Sequence, residues 1–253
     1  MNVFDISGRH AVVVGMGGLG RAIAMGLAEH GVNVAVADMD AQRAAAVAQE
    51  ISGRGVASLA LAVDVTSESS VRSLAADVLA VFPCVDILIN AAGITVRKRA
   101  EDVSVEEWRR IIDVNATGSF ICCKVFGAEM ARAGGGSIIN LSSVRGRYGA
   151  RFGQTEYSAS KGAIDSMTRS LAAQWAEFGI RVNAIAPTFV ETDLTRAVLA
   201  DERFAAGLRD SIPMGRWAET ADVIGPVLFF ASPASGFVTG QVLYIDGGLT
   251  AHT

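Results

Sequence analysis

His10-Ala11-Val12-Val13-Val14-Gly15-Met16-Gly17-Gly18-Leu19-Gly20 runs an apolar strand into a cluster of glycines, and the residues to Glu29 continue as a helix. Strand, glycines and helix in that order open a βαβ unit. Glycine there permits a tight turn and lets backbone amides approach a pyrophosphate seated on the helix N-terminus. A Gly-x-Gly-x-x-Gly pattern alone is a weak signal, and a merely tight βα turn is the alternative reading. In this context the pattern points to dinucleotide binding, with Gly15, Gly17, Gly18, Leu19 and Gly20 as the candidate phosphate contacts.

The alternation continues outward from that unit. Strands are expected over residues 10–15, 32–38, 56–63, 85–90, 137–141, 181–186 and 241–245, nearly continuous in Val, Ile, Leu and Ala. Such runs read as parallel strands buried on both faces. Helices are expected over residues 19–29, 41–51, 68–81, 105–133 and 155–178. The pattern predicts an α/β fold: a doubly wound parallel sheet of about seven strands with helices on both faces, the Rossmann arrangement. No repeat, low-complexity tract or linker divides residues 1–253, so one domain is expected. The irregular stretch 187–217, with a helix of its own near 193–206, is a lid candidate.

Composition sets limits on function. Of the 253 residues, 51% are hydrophobic, enough to bury a large core and to argue against disorder. A formal charge of −4 argues against a nucleic-acid surface. No uninterrupted apolar run reaches the roughly 18–20 residues of a membrane span, and the acidic N-terminus lacks a secretory pattern. Cys84, Cys122 and Cys123 lie in apolar surroundings without metal-ligand spacing, which reads as reduced thiols in a cytoplasmic protein. His10, His30 and His252 sit at a strand start, a helix end and the tail, and are read as structural. Neither a Ser-His-Asp hydrolase nor a histidine metal centre is expected.

Asp38 closes the second strand, where a carboxylate accepts hydrogen bonds from ribose hydroxyls and repels a 2′-phosphate. Met16–Leu19 carry no cation to offset it, so NAD is favoured over NADP. Arg43 and Arg21 are the residues able to reverse that preference, and Asp38 could instead cap the following helix. Asp64 and Val65 end the third strand and read either as an adenine contact or as a turn.

Tyr157-Ser158-Ala159-Ser160-Lys161 sets a phenol and an ammonium four apart, about 5–6 Å at Cβ on one helix face. A nearby cation favours the phenolate and makes tyrosine usable as an acid/base group. Alone, the pattern is common on surface helices. Here it accompanies Asn90-Ala91-Ala92-Gly93 after the fourth strand, Asn115 in mid-helix, and Ser142-Ser143 after the fifth strand. Asparagine is a poor mid-helix residue unless it has a partner.

Together with the glycine loop, these motifs resemble the short-chain dehydrogenase/reductase family in its compact single-domain branch, over essentially the whole chain. The resemblance implies a catalytic set of Asn115, Ser143, Tyr157 and Lys161. Tyr157 would be the acid/base, and Lys161 would hold the nicotinamide ribose and depress the tyrosine pKa. Ser143 would hydrogen-bond the reacting oxygen, and Asn115 would anchor a water relay. It further implies coenzyme contacts from Asn90, Ala91 and Gly93, and from Pro187, Val190 and Thr192 near the carboxamide. The chain departs from the family at Val14, where threonine is usual, at Ala91, at Thr188, and in a glycine loop one residue short.

Arg97, Lys98 and Arg99 follow the fourth strand, while Arg145, Arg147 and Arg151 lie between Ser143 and Tyr157. On an acidic chain this excess suggests an anionic substrate group, with Arg97 and Arg145 the candidates. A solvated rim or subunit contact is the alternative. Phe4–Gly8 and Ile212–Trp217 resemble members that oxidise sugar acids, such as gluconate and ketodeoxygluconate dehydrogenases. The expectation is an NAD-dependent dehydrogenase of a small polyhydroxylated anion, needing no metal. The alternatives are an NADPH-dependent 3-oxoacyl thioester reductase and a non-catalytic NAD(H)-binding regulator. The resemblance also implies a homotetramer.

Overall fold

The computed structural model describes residues 2–150, 153–192, 195–196 and 199–251. Seven parallel strands form one sheet in the order β3-β2-β1-β4-β5-β6-β7. They are β1 His10–Val14, β2 Asn33–Asp38, β3 Ser58–Ala62, β4 Ile87–Asn90, β5 Gly136–Leu141, β6 Ile180–Pro187 and β7 Val242–Ile245. The strand order reverses between β1 and β4, and the crevice beyond the carboxyl ends of these two strands is the ligand position of such sheets.

Strand alternation divides the core in two. Val13, Val34, Val36, Ile89 and Ile139 face α1 (Gly18–Glu29), α2 (Ala41–Ser52) and the helix Thr220–Ala231. Val12, Val14, Ala35, Leu88 and Ile138 face α3 (Glu68–Leu79), α5 (Gly118–Ala133) and α6 (Thr155–Trp175). Helix starts follow local chemistry. Asp40 accepts from the amides of Gln42 and Arg43, Ser67 caps α3, and Ser104 with Glu107 forms a capping box for α4 (Val105–Ile112).

Four outcomes differ from the sequence expectation. The expected helix over 105–133 is broken by a π-helical turn at Asp113–Thr117 into α4 and α5. The stretch Val105–Ala133 is apolar, with a mean hydropathy of 1.3 over its most apolar 18 residues, but charged residues interrupt it and 56% of that window is buried inside the protein, as expected of a core helix. Within the helix expected near 193–206, Thr195, Arg196 and Leu199 are helical, and a separate helix, Glu202–Ser211 (α7), follows, where Asp201 accepts from the amides of Arg203 and Phe204; Asp193 is outside the described residues. The helix Thr220–Ala231 (α8) was not anticipated. β3 and β7 are partly exposed rather than buried on both faces, because each is an outer strand of the sheet.

The β1–α1 turn is the tightest point near the crevice. Gly15 has φ +95°, and a Cβ on it would lie 2.4 Å from the Ala92 amide nitrogen. A Cβ on Gly20 would lie 1.8 Å from the Gly15 carbonyl oxygen. Gly20→Ala should therefore force the turn open. Overpacking of this kind typically costs about 1–3 kcal/mol, readable as a lowered urea midpoint, with loss of nicotinamide coenzyme binding by fluorescence titration.

Candidate active site and coenzyme crevice

The coenzyme end is built from bare backbone. Gly17 precedes α1 with no side-chain cap, no acidic residue stands in the first turn, and a Cβ on Gly17 would meet nothing within 4 Å. Unmatched amides at a helix N-terminus with open space above them suit a pyrophosphate. Across the crevice, Thr192 lies against Gly18, where a Cβ would fall 2.5 Å from the threonine Cβ. Thr192 is held by Thr195, whose hydroxyl accepts its amide at 2.8 Å, and Val190 is buried beside it.

Asp38 is buried at the end of β2. One of its oxygens accepts the Met16 amide at 2.6 Å, and the other accepts the Asp40 amide at 2.9 Å. The helix cap is thus Asp40, not Asp38. Arg43 stands between these carboxylates, 3.6 Å from Asp38 and 3.5 Å from Asp40. Arg21 pairs with Glu50. Asp64 turns its Oδ1 onto the amide and hydroxyl of Thr66 at 2.9 and 2.7 Å, the turn-forming alternative, while Val65 packs against Gly118. Asn90 points inward: its amide donates to Asn140 at 2.8 Å, and Asn140 donates to Thr168 at 3.0 Å. This side chain ties β4 through β5 to α6.

The chemistry end converges on α6. The π-helical turn carries Asn115, which is wholly buried and has the partners its position demands. It accepts the Ile94 amide at 2.8 Å and donates to the Ile94 carbonyl at 2.9 Å and to Ser160 at 3.0 Å. Ser160 in turn donates to the Tyr157 carbonyl at 2.7 Å. Asn115 therefore fastens the loop after β4 to the first turn of α6. Gly93 sits where a Cβ would be 3.4 Å from Asn115 Oδ1 and 3.8 Å from Lys161 Nζ.

Ser143 lies beside the Tyr157 phenol, and its own hydroxyl donates to the Pro187 carbonyl at 3.4 Å. Burial pushes the phenol up, against smaller opposing effects of Ser143 and of the Arg145 charge. This differs from the expected depression by Lys161. The Lys161 ammonium is 5.4 Å from the tyrosine ring centre and donates to the Leu141 carbonyl at 2.6 Å, so it faces the ring and β5. Burial lowers Lys161 to about 8, while Asp165 opposes the fall. Asp165, four residues on, shares its helix face. It accepts a hydrogen bond from Ser142 and is itself pushed up by burial.

The cations sort into two groups. Lys98 pairs with Glu107 at 2.5 Å and Arg99 with Glu101 at 2.6 Å. Arg97 and Arg145 have no carboxylate partner among the described residues. They lie against aromatic rings, Arg97 at 5.7 Å from the centre of Phe189 and Arg145 at 5.1 Å from that of Tyr148. Phe189, Tyr148 and Arg145 line a cavity of about 220 Å³ that also touches Val144 and Thr188, the neighbours of Ser143 and Pro187. Arg147 lies over Tyr244 instead; Arg151 is outside the described residues, as is His252. Sequence reasoning missed Asp165, legible from its spacing, and the aromatic supports Phe189 and Tyr148, which depend on tertiary packing.

A family model described as enoyl-(acyl carrier protein) reductase, of the short-chain dehydrogenase/reductase type, matches residues 14–250. The chain belongs to the short-chain dehydrogenase/reductase family. It is 39% identical over 251 residues to galactitol 2-dehydrogenase (L-tagatose-forming) of Cereibacter sphaeroides, covering 98% of this chain and 97% of that protein. It is 38% identical over 243 residues to a 3-oxoacyl-[acyl-carrier-protein] reductase of Staphylococcus aureus (strain Mu50), covering 95% and 98%. The crystal structure of a gluconate 5-dehydrogenase from Burkholderia cenocepacia J2315 in complex with NADP and tartrate superposes with a TM-score of 0.94 at 35% identity, over 100% of this chain and 99% of that one. The short-chain dehydrogenase/reductase described here is thus an oxidoreductase acting on CH–OH groups with a nicotinamide coenzyme.

Asp165→Asn removes the charge that holds Lys161 up and leaves burial unopposed. The ammonium should then lose its proton at lower pH. A nearby charge is worth about one pH unit or more, so the alkaline limb of the kcat profile for alcohol oxidation should move down by that amount.

Proposed function

We propose that the protein is an NAD-dependent dehydrogenase of a small, polyhydroxylated, anionic substrate, a sugar acid or an acidic polyol. The observation that carries the substrate class is the pair Arg97 and Arg145, supported on aromatic faces without carboxylate partners among the described residues. Arg145 donates one N–H to the Gly149 carbonyl at 3.0 Å, and the remaining donors of the two guanidiniums suit a substrate carboxylate. The tartrate bound to the Burkholderia relative is an anion of this kind.

The nicotinamide coenzyme, when bound, supplies the hydride acceptor and a positive ring. The amides of Gly17, Gly18 and Leu19 would hold its pyrophosphate, and Thr192 would close over it from the lid at 187–217. Tyr157 takes the hydroxyl proton as the substrate carbon is oxidised. Ser143, beside the phenol, donates to the developing oxygen charge. Lys161 contributes a buried positive charge over the tyrosine ring, and Asn115 holds the loop and helix in register around it. Asp38 favours NAD: its buried carboxylate would meet a 2′-phosphate, Arg43 offsets that charge only from 3.6 Å while shared with Asp40, and Arg21 pairs with Glu50.

A second reading, an NADPH-dependent 3-oxoacyl thioester reductase, is favoured by the 38% identity to the staphylococcal enzyme. We place the enzyme in the cytoplasm as a homotetramer, and the exposed Trp108, Phe120 and Leu243 on α4, α5 and β7 suit subunit contacts.

Screening sugar acids, polyols and small hydroxy acids with NAD and NADP separately should give turnover on acids with NAD. Turnover confined to acetoacetyl thioesters with NADPH would move the assignment to the second reading. Tyr157→Phe should bind coenzyme normally but lose about 10²–10⁴-fold in kcat; near-normal turnover would remove Tyr157 from its role. Arg145→Gln should raise KM for anionic substrates at least tenfold and leave neutral polyols unchanged.

A further inference from the structure

The end of the sheet remote from the coenzyme crevice holds a second convergence of reactive side chains. β1 and β4 pair in parallel with Ala11 opposite Ile87, so one step earlier His10 falls beside Asp86. The Asp86 Oδ2 accepts the His10 amide at 2.8 Å. Cys84 lies two residues before Asp86 and reaches the same oxygen. The His10 Nδ1 is 3.4 Å from Asp86 Oδ2, and the Cys84 sulfur is 3.7 Å from that oxygen and 4.0 Å from the imidazole nitrogen.

These separations have a simple interpretation. Donor atoms bonded to a tetrahedral zinc ion at about 2.0–2.3 Å lie about 3.3–3.7 Å from one another. The three groups stand at nearly that spacing, so only a few tenths of an ångström of closure is needed. Their surroundings fix them. The His10 ring lies 5.0 Å from that of Phe82, and Arg9 donates to Asp86 Oδ1 at 2.7 Å, which orients the carboxylate toward the other two donors. A cavity of about 320 Å³ lined by Arg9, Cys84, Asp86, Ser137 and Arg181 opens beside the cluster, with room for a water as fourth ligand.

We propose that His10, Cys84 and Asp86 bind a single thiophilic divalent cation, zinc by preference, at the sheet end opposite the coenzyme crevice. One sulfur, one imidazole nitrogen and one carboxylate oxygen suit zinc, whereas calcium and magnesium demand shells of oxygen. Burial and the Asp86 charge hold the Cys84 thiol up. Binding therefore exchanges the S–H proton, released to solvent, for a sulfur–metal bond, with no change in oxidation state. The ion would clamp the first residue of β1 to the entry of β4 and stabilise the native chain by mass action. It takes no part in hydride transfer, because β1 separates it from Gly15.

The test titrates the full-length reduced protein with cobalt(II). One equivalent per chain should produce tetrahedral visible bands and a thiolate-to-cobalt charge-transfer band, both erased by competing zinc. Cys84→Ser should abolish the charge-transfer band, and His10→Ala should weaken binding at least tenfold. In the wild-type protein, zinc should protect Cys84 from alkylation as read by mass spectrometry, a measurement independent of how either variant folds. Absence of the band, its persistence in Cys84→Ser, or unprotected Cys84 at saturating zinc would each overturn the site.

Discussion

The parallel pairing of β1 with β4 sets what happens at both ends of the molecule. At the carboxyl end it lays the glycine turn beneath Ala91 and Ala92, so close that Gly15 has no room for a side chain. At the amino end the same register brings His10 beside Asp86. Neither neighbourhood is local in sequence. Both follow from the strand order reversing at this pair, where the chain leaves β1 for a helix on one face of the sheet and β4 for helices on the other, which opens the crevice at their carboxyl ends. The rest of the sheet serves to bury the pair: β2 and β3 on one side and β5 to β7 on the other, with an apolar helix layer on each face.

Within the crevice, the controlling energy is that of a buried ammonium. Lys161 is almost wholly enclosed, and a cation there loses hydration that must be replaced by fixed partners. The Leu141 carbonyl and the Asp165 carboxylate supply them. Asp165 stands in turn on Ser142, and Asn115 reaches the same helix through Ser160. The geometry around Tyr157 is therefore a supported network and not a pair of adjacent side chains. Burial keeps the phenol high here, because the ammonium faces the ring and β5 and only the smaller effects of Ser143 and Arg145 oppose it.

The features legible in the sequence were those with a local cause. Strands showed as apolar runs, and the glycine loop announced the turn. Asn115 betrayed itself by standing where asparagine is costly without a partner. Helix α8 was hidden because Gly225 and Pro226 interrupt a segment that is apolar on nearly all sides, leaving no helical period to read. The π-helical turn adds a residue to a helix without any mark in composition. One helix was expected near 193–206, and the cap at Asp201, which starts a separate helix inside that stretch, was not recognised. Arg97 and Arg145 could be suspected from charge alone, but their separation from Lys98 and Arg99 depended on which carboxylates the fold brought near.

Asp38 joins the fold to coenzyme choice in a way the sequence did not suggest. With one residue fewer than the family spacing between Gly15 and Gly18, the glycine loop is taut, and its Met16 amide is held by the Asp38 carboxylate at 2.6 Å. The second oxygen receives the Asp40 amide and stands near Arg43. A carboxylate oxygen can accept more than one hydrogen bond, so ribose hydroxyls can share Asp38 with the loop. In the function proposed above the same residue would perform two tasks: it would repel a 2′-phosphate, and it holds the phosphate loop at Met16. Replacing it would release the Met16 amide along with the charge, so coenzyme preference in this chain is coupled to the shape of the phosphate loop.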